Sequence, residues 1–407
     1  MRKQLFWNSL GNLAYLGAQW LLTLLVTRLN GYESAGLFSL AMSVSAVFQS
    51  VALAGMRNYQ VSDIHSEFSD SCYVTARLMT CTASLLMCLL FIFLNGYPLK
   101  HILAVIGMMV FRLGECSADV FHGIEQKAGR LDLAGKSFLI RSVCLFAGYG
   151  LCGFGTGNVM SGIWGMALAS LLVTVLFDRH YAESLANRSE TNFEAVRLLL
   201  MTTLPLCLYQ VLSAAIVSLP KYFLERVMDE TALGIYSAVF TPVMLIQAVS
   251  GYLSQPYAPE FARMWDAGDI KGFRRLTGII SGAVTALALL AIPGVPLGKP
   301  ILILLFGDSI ASYVYLLPPA IVCSSLVSLF SFLGMLMVIL RDFRGLTAAC
   351  LTGCLICCLA APAAIQKMGM NGANLGLILS LAAALLILTV RLLSALKRGT
   401  SSCRKKF

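Results

Sequence analysis

Arg112, Glu115 and Asp119 are ionisable residues within one apolar stretch of the chain, spaced three and seven apart. That spacing puts all three on one face of a helix. A charge inside an apolar span is expensive, so it turns toward a water-filled cavity or an internal partner. In one reading the three line a polar cavity, where Arg112 meets an anion and Glu115 or Asp119 takes a coupling proton. In the other, Arg112 and Glu115 neutralise each other between helices and Asp119 lies near the cytoplasmic interface.

Asn8, Asn12, Tyr15 and Gln19 follow steps of four, three and four, a polar stripe about three helical turns long. Amides and a phenol offer donors and acceptors without fixed charge, which suits sugar hydroxyls or bonds between helices equally. Ser39, Ser43, Ala46 and Ser50 form a small-residue stripe better explained by close helix packing. Arg28 and Arg226 end two apolar runs. A planar guanidinium there binds phosphate through two parallel bonds, or else snorkels or pairs with Glu33 or Glu225. Arg57 ends another run, where contact with anionic lipid is an equally ordinary role.

The elements that position these residues follow from composition. Of 407 residues, 58% are hydrophobic and 12% charged, with a mean hydropathy of +0.80. Soluble proteins carry about 25% charged residues, so this chain belongs in a bilayer. Apolar runs centre on 8–29, 36–55, 76–95, 101–120, 138–156, 160–177, 198–219, 234–254, 276–293, 313–340, 346–365 and 373–395. Each is long enough for a spanning helix. The expectation is an all-α polytopic membrane protein with about twelve transmembrane helices in two parallel six-helix halves, both termini cytoplasmic. Residues 1–177 form the first half and 178–197 a cytoplasmic linker. Residues 198–396 form the second half and 397–407 a basic tail. No stretch is left for a large catalytic or ATP-hydrolysing domain.

The net charge of +10 is then mostly topological. With the amino terminus inside, 23 basic residues fall on the cytoplasmic side, among them Arg77, Arg141 and Arg188. The outer side receives only Arg28, Lys100, Lys221, Arg226, Lys299 and Lys367. This asymmetry obeys the positive-inside rule and gives no support for a nucleic-acid partner. The run after Met1-Arg2-Lys3 lacks a small-residue cleavage site and reads as a retained first span. Thirteen cysteines, including the Cys354 and Cys357 pair, sit mostly in apolar runs and read as small hydrophobes. His65, His101, His122 and His180 are scattered over loops without metal-binding spacing. Two nucleotide-like motifs fail on context: Gly148 to Gly153 follows no strand, and Gly129 to Ser137 has one residue too many for a phosphate loop. Neither a catalytic constellation nor a cofactor is expected.

An offset of 198 residues aligns 28–99 with 226–297, with 12 of 72 pairs identical, where roughly five would arise by chance. The pairs include Arg28/Arg226, Gln49/Gln247, Tyr59/Tyr257, Arg77/Arg275, Gly96/Gly294 and Pro98/Pro296. An offset of six helices preserves orientation, so the halves should be related by an axis along the membrane normal, with a substrate path between them.

The runs RLNGYESAGLFS at 28–39, GMRNYQVSD at 55–63, ECSADVFHGIEQ at 115–126 and LLFGD at 304–308 complete the pattern. With the duplicated architecture, they resemble the polysaccharide repeat-unit flippases of the multidrug/oligosaccharidyl-lipid/polysaccharide (MOP) exporter superfamily. The resemblance implies translocation of an undecaprenyl-diphosphate-linked oligosaccharide across a bacterial plasma membrane for surface polysaccharide synthesis, alongside polysaccharide assembly proteins. The related lipid II flippases line a cationic central cavity with arginines ending the first and second spans, and Arg28 and Arg57 stand at those positions. On this reading Arg112 would meet the diphosphate and the amide stripe the sugars. A drug or cation antiporter of the same superfamily is the nearest rival. An integral-membrane polymerase or glycosyltransferase is a more distant one, since the expected outer loops are short.

Overall fold

A computed structural model describes residues 2–63, 67–154, 156–186, 192–293 and 295–404. His65, named above for metal spacing, and Arg188, Gly294, Lys405 and Lys406, used for charge or repeat, lie outside the described residues. Every regular element among the described residues is helical. Among the described residues, ten segments are long and apolar enough to cross a membrane. The nineteen-residue helix α5 is not one of them, because Asp132, Lys136 and Arg141 interrupt it. Each of the twelve apolar runs falls on a helix.

The runs 8–29 and 36–55 are two limbs of one helix, α1 (Arg2–Leu53), broken at Gly31. There φ is 79° and ψ 176°, a conformation open essentially to glycine alone. Contacts divide the chain into two compact units, Met1–Ala214 and Ala215–Phe407. The segment expected as a linker is partly helical, and its first residue, Asp178, is fully buried in the first unit.

The first unit continues with α2 (Met56–Ser62), α3 (Asp70–Leu94), α4 (Leu99–Lys127), α5 (Leu131–Tyr149), α6 (Val159–Val173), α7 (His180–Leu185) and the start of α8 (Phe193–Val227). Helix α1 packs on α3, α4 and α5, and α6 closes against α4 and α5. The α1–α5 contact is backbone to backbone: a Cβ on Gly11 would enter the Gly135 carbonyl, and one on Gly135 would enter the Trp7 carbonyl. Gly148 and Gly165 bring α5 and α6 together in the same way. One glycine of each nucleotide-like motif, Gly148 and Gly135, is therefore a helix-packing residue, while Gly129 takes a φ of 71° in the turn between α4 and α5. A core of Met56, Phe68, Tyr73, Val120, Val196 and Leu199 ties α2, α3, α4 and α8 together. Asp63 closes the α2–α3 connection, accepting the backbone N–H of Glu67 at 2.8 Å and of Phe68 at 3.1 Å and the Tyr73 hydroxyl at 3.1 Å. Burial opposes ionisation of that carboxyl, but the three donors outweigh it and hold it below its ordinary value.

The second unit contains α9 (Glu230–Ser254), α10 (Ala258–Asp266), α11 (Ile270–Ala291), α12 (Val295–Phe306), α13 (Leu317–Ile339), α14 (Phe343–Met368) and α15 (Met370–Arg404). Helices α14 and α15 form a tight hairpin that turns at Gly369, with Gly372 seated against the Ala364 backbone. Among the described residues, the most deeply buried polar side chains of this unit are uncharged Ser, Thr and Asn. The Tyr236 hydroxyl donates to Asn374 at 3.0 Å and the Gln247 amide to Ser324 at 3.1 Å. Cys354 and Cys357 lie one turn apart on α14 as free thiols, Cys357 fully buried.

Candidate functional site

The triad on α4 faces side chains of α1, α2 and α3. Arg112 donates to Glu115 at 2.8 Å, so the pair of the second sequence reading is formed. It is not isolated, however. The Tyr15 hydroxyl and the Gln19 amide, the latter at 3.3 Å, both reach the same Glu115 oxygen, and the Gln49 amide reaches the other at 3.4 Å. Two limbs of α1 thus converge on one carboxylate of α4. Asn12 takes no part in that convergence, since its amide turns back to the Asn8 carbonyl at 2.8 Å.

One turn further along α4, Asp119 bridges two arginines, Arg57 at 3.2 Å and Arg77 at 2.7 Å. Arg57 also reaches Gln126 at 3.3 Å. Arg77 is 1% exposed and donates as well to the Ala52 carbonyl at the end of α1. That corrects its place among the cytoplasmic loop charges: its neighbours in sequence mark a helix start, but its guanidinium is internal. Three guanidinium groups, those of Arg57, Arg77 and Arg112, therefore face two carboxylates, those of Glu115 and Asp119.

A buried extension follows on the same α4 face. His122 lies 3.1 Å from Asp178, and Arg141 of α5 donates to Asp178 at 2.6 Å, Thr174 at 2.7 Å, Ser170 at 3.1 Å and Ser137 at 3.3 Å. Asp178 reaches this position because the chain forms a π-helical turn over Thr174–Arg179, which shifts the register of the residues after α6. His101 and His122 are on α4 and buried, not on loops, and Arg141 is internal, not a cytoplasmic surface charge. The signal for His122 was present: it follows Asp119 by three and Glu115 by seven, continuing the triad's face. Nothing comparable marked Arg141 or Asp178, which meet only through the α5–α6 contact.

Arg28 is exposed, three residues before the Gly31 break. Arg226, in the other unit, is exposed in the last turn of α8 with its guanidinium 5.7 Å from the Tyr222 ring centroid. The duplicated positions are not used alike. Arg77 is buried on Asp119, whereas Arg275 is exposed. Gln49 reaches Glu115, whereas Gln247 reaches Ser324. Among the described residues no group of three His, Cys, Asp or Glu side chains could hold a metal ion.

With regular elements all helical among the described residues, ten apolar segments of membrane-spanning length, and a bonded charge cluster in one unit, the chain has the architecture of a multi-pass membrane protein. Its fold is similar to solved MOP transporters over nearly the whole chain. It resembles the lipid II flippase MurJ in an inward closed conformation, at 12% identity and a TM-score of 0.70, covering 96% of this chain and 89% of that one. An inward-facing multidrug resistance MATE family transporter is similar at 14% identity and a TM-score of 0.68, with 96% of each chain covered. A MOP superfamily transporter from Pyrococcus furiosus is similar at 14% identity and a TM-score of 0.62, covering 97% of this chain and 94% of that one. No curated protein matches the sequence. Residues 1–265 match the profile of the polysaccharide biosynthesis protein family, and the chain belongs to that family.

Proposed function

We propose that this transporter flips undecaprenyl-diphosphate-linked oligosaccharide repeat units across the bacterial plasma membrane by alternating access, for surface polysaccharide synthesis. The halves 1–177 and 198–396, twelve crossings in all with both termini cytoplasmic, would rock about a central path. The observation that carries the reading is the surplus cation of the α4 cluster: Arg57, Arg77 and Arg112 against Glu115 and Asp119. Glu125, buried further along α4 with neither carboxylate oxygen bonded among the described residues, adds an acid within the field of Arg57. Within this group a guanidinium is able to exchange its protein partner for a phosphate oxygen. Tyr15, Gln19 and Gln49 place neutral donors beside it, and Asn8 and Asn12 extend the stripe for sugar hydroxyls. Arg28 and Arg226 serve as the outer cationic contacts of the path.

The test is leaflet exchange of a fluorescent lipid-linked oligosaccharide in proteoliposomes, with and without an ion gradient. Protein-dependent exchange is the expected result, abolished by Arg112→Ala without loss of membrane insertion. No exchange over a broad panel of glycans, together with gradient-driven efflux of a cationic dye, would transfer the protein to the antiporter reading.

A further inference from the structure

A second basic site lies in the Ala215–Phe407 unit, remote in sequence from the α4 cluster. The α13–α14 turn, the end of α10 and the last turns of α15 border an open cleft of about 460 Å³, within the size range of small-ligand sites. Trp265, Arg341, Asp342, Arg391, Ser394 and Arg398 line it. Asp342 and Arg391 form a two-bond pair at 2.7 and 2.8 Å, and the Asp342 side chain also caps α14 by accepting the Gly345 N–H at 3.0 Å. This pair consumes the cleft's acid and fixes one wall. Arg341 and Arg398 are exposed, and among the described residues neither has an acidic partner within bonding distance. Arg341 is moreover held at a φ of 55°, a left-handed conformation that a β-carbon disfavours. The turn therefore presents an arginine where a glycine would be easier.

Two exposed guanidinium groups over the cleft, neither bonded to an acid among the described residues although Arg398 shares the charge of Asp342, with a half-buried indole beside them, are complementary to a phosphate group attached to something less polar. Position selects further. The cleft sits immediately beyond the apolar windows that end at Ile339 and begin at Phe343, the depth at which headgroups lie. Tryptophan favours that depth. Basic pockets between helix ends are also the sites that retain anionic lipid headgroups. We propose that this cleft is a binding site for the phosphate headgroup of a membrane lipid, separate from the α4 cluster and resting on no assumption about what that cluster carries.

Trp265, one of four tryptophans in the chain, is a built-in reporter. The full-length protein in zwitterionic nanodiscs would be titrated with phosphatidylglycerol while its emission is followed, with Trp265→Phe identifying the Trp265 component. Saturable change is expected, weakened about tenfold or more by Arg341→Ala with Arg398→Ala, the loss of roughly one charged hydrogen bond or more. Both substitutions are on exposed side chains and leave the Asp342–Arg391 pair intact. A parallel titration with inorganic pyrophosphate separates the sources: an equal response would support the phosphate site but assign it a soluble ligand. A response to phosphatidylglycerol that the double variant leaves unchanged, or no Trp265 response to either probe, would overturn the proposal. Leaflet exchange of lipid-linked oligosaccharide is read independently, so failure here leaves the transport reading standing.

Discussion

Arg77 carries its charge almost wholly inside the protein, and what makes that tolerable is Asp119 at 2.7 Å and the Ala52 carbonyl. Removing one member of a buried pair strands the other, at a cost of about 3–5 kcal/mol. Asp119→Asn leaves the buried Arg77 without its carboxylate and should thus lower Tm sharply, and adding Arg77→Met should return part of the loss. A double-mutant cycle in detergent reads the coupling, and strictly additive losses would contradict the pairing. Asp342 makes the opposite kind of test, because it lies in a turn. Its bonds to Arg391, followed by the backbone donor of Gly345, outweigh burial and hold its carboxyl below the ordinary value near 4. A depressed carboxylate contributes stability above its unfolded value and loses it as pH falls through its folded one. Arg391→Met should therefore be less stable than wild type at neutral pH, and the gap in Tm should close below about pH 4. A gap that persisted unchanged into acid would mean the pair adds no ionic stabilisation.

At the scale of helices, close approach is set by residues that have no side chain. Gly135 meets the Trp7–Asn8 backbone, so Gly135→Val must push α5 off α1; overpacking of this kind typically costs about 1–3 kcal/mol. Gly17 lies on the same helix as Gly11 with nothing within reach of an added Cβ, and Gly17→Ala should be neutral or gain up to about 1 kcal/mol from helix propensity. Thermal unfolding of both variants checks the contrast, and equal effects would refute the α1–α5 contact. These glycines also mark the limit of what the sequence makes legible. Apolar length alone placed every long helix, because a bilayer leaves the backbone few alternatives. The Arg112–Glu115 face was legible because its spacing is local. Arg77, Arg141 and Asp178 were not, since a charge near a helix end satisfies the positive-inside pattern whether it faces water or the interior. Only the packing of α3, α5 and the π-helical turn on α4 distinguishes the two.

Across the whole molecule, positions related by the 198-residue offset carry unequal chemistry. Position 57 is arginine in the first unit, and the residue 198 places later is Gln255. Arg77 is buried and ion-paired, while its counterpart Arg275 is exposed. If transport depends on the surplus cation of the first unit, the functional charge cannot be a general property of the repeat. Arg57→Gln places in the first unit the residue already found in the second and removes one cation from Asp119 without stranding it, because Arg77 remains. A charged hydrogen bond is worth about 1.5–3 kcal/mol, so exchange of the lipid-linked oligosaccharide should fall at least about tenfold with insertion and Tm little changed. Arg275→Gln should leave exchange within about twofold, since an exposed charge contributes little. The charge sense is read from the same two variants with a cationic dye: an anion carrier gains nothing for the dye on losing Arg57, whereas faster dye efflux in Arg57→Gln would show that the arginine had been repelling the true substrate.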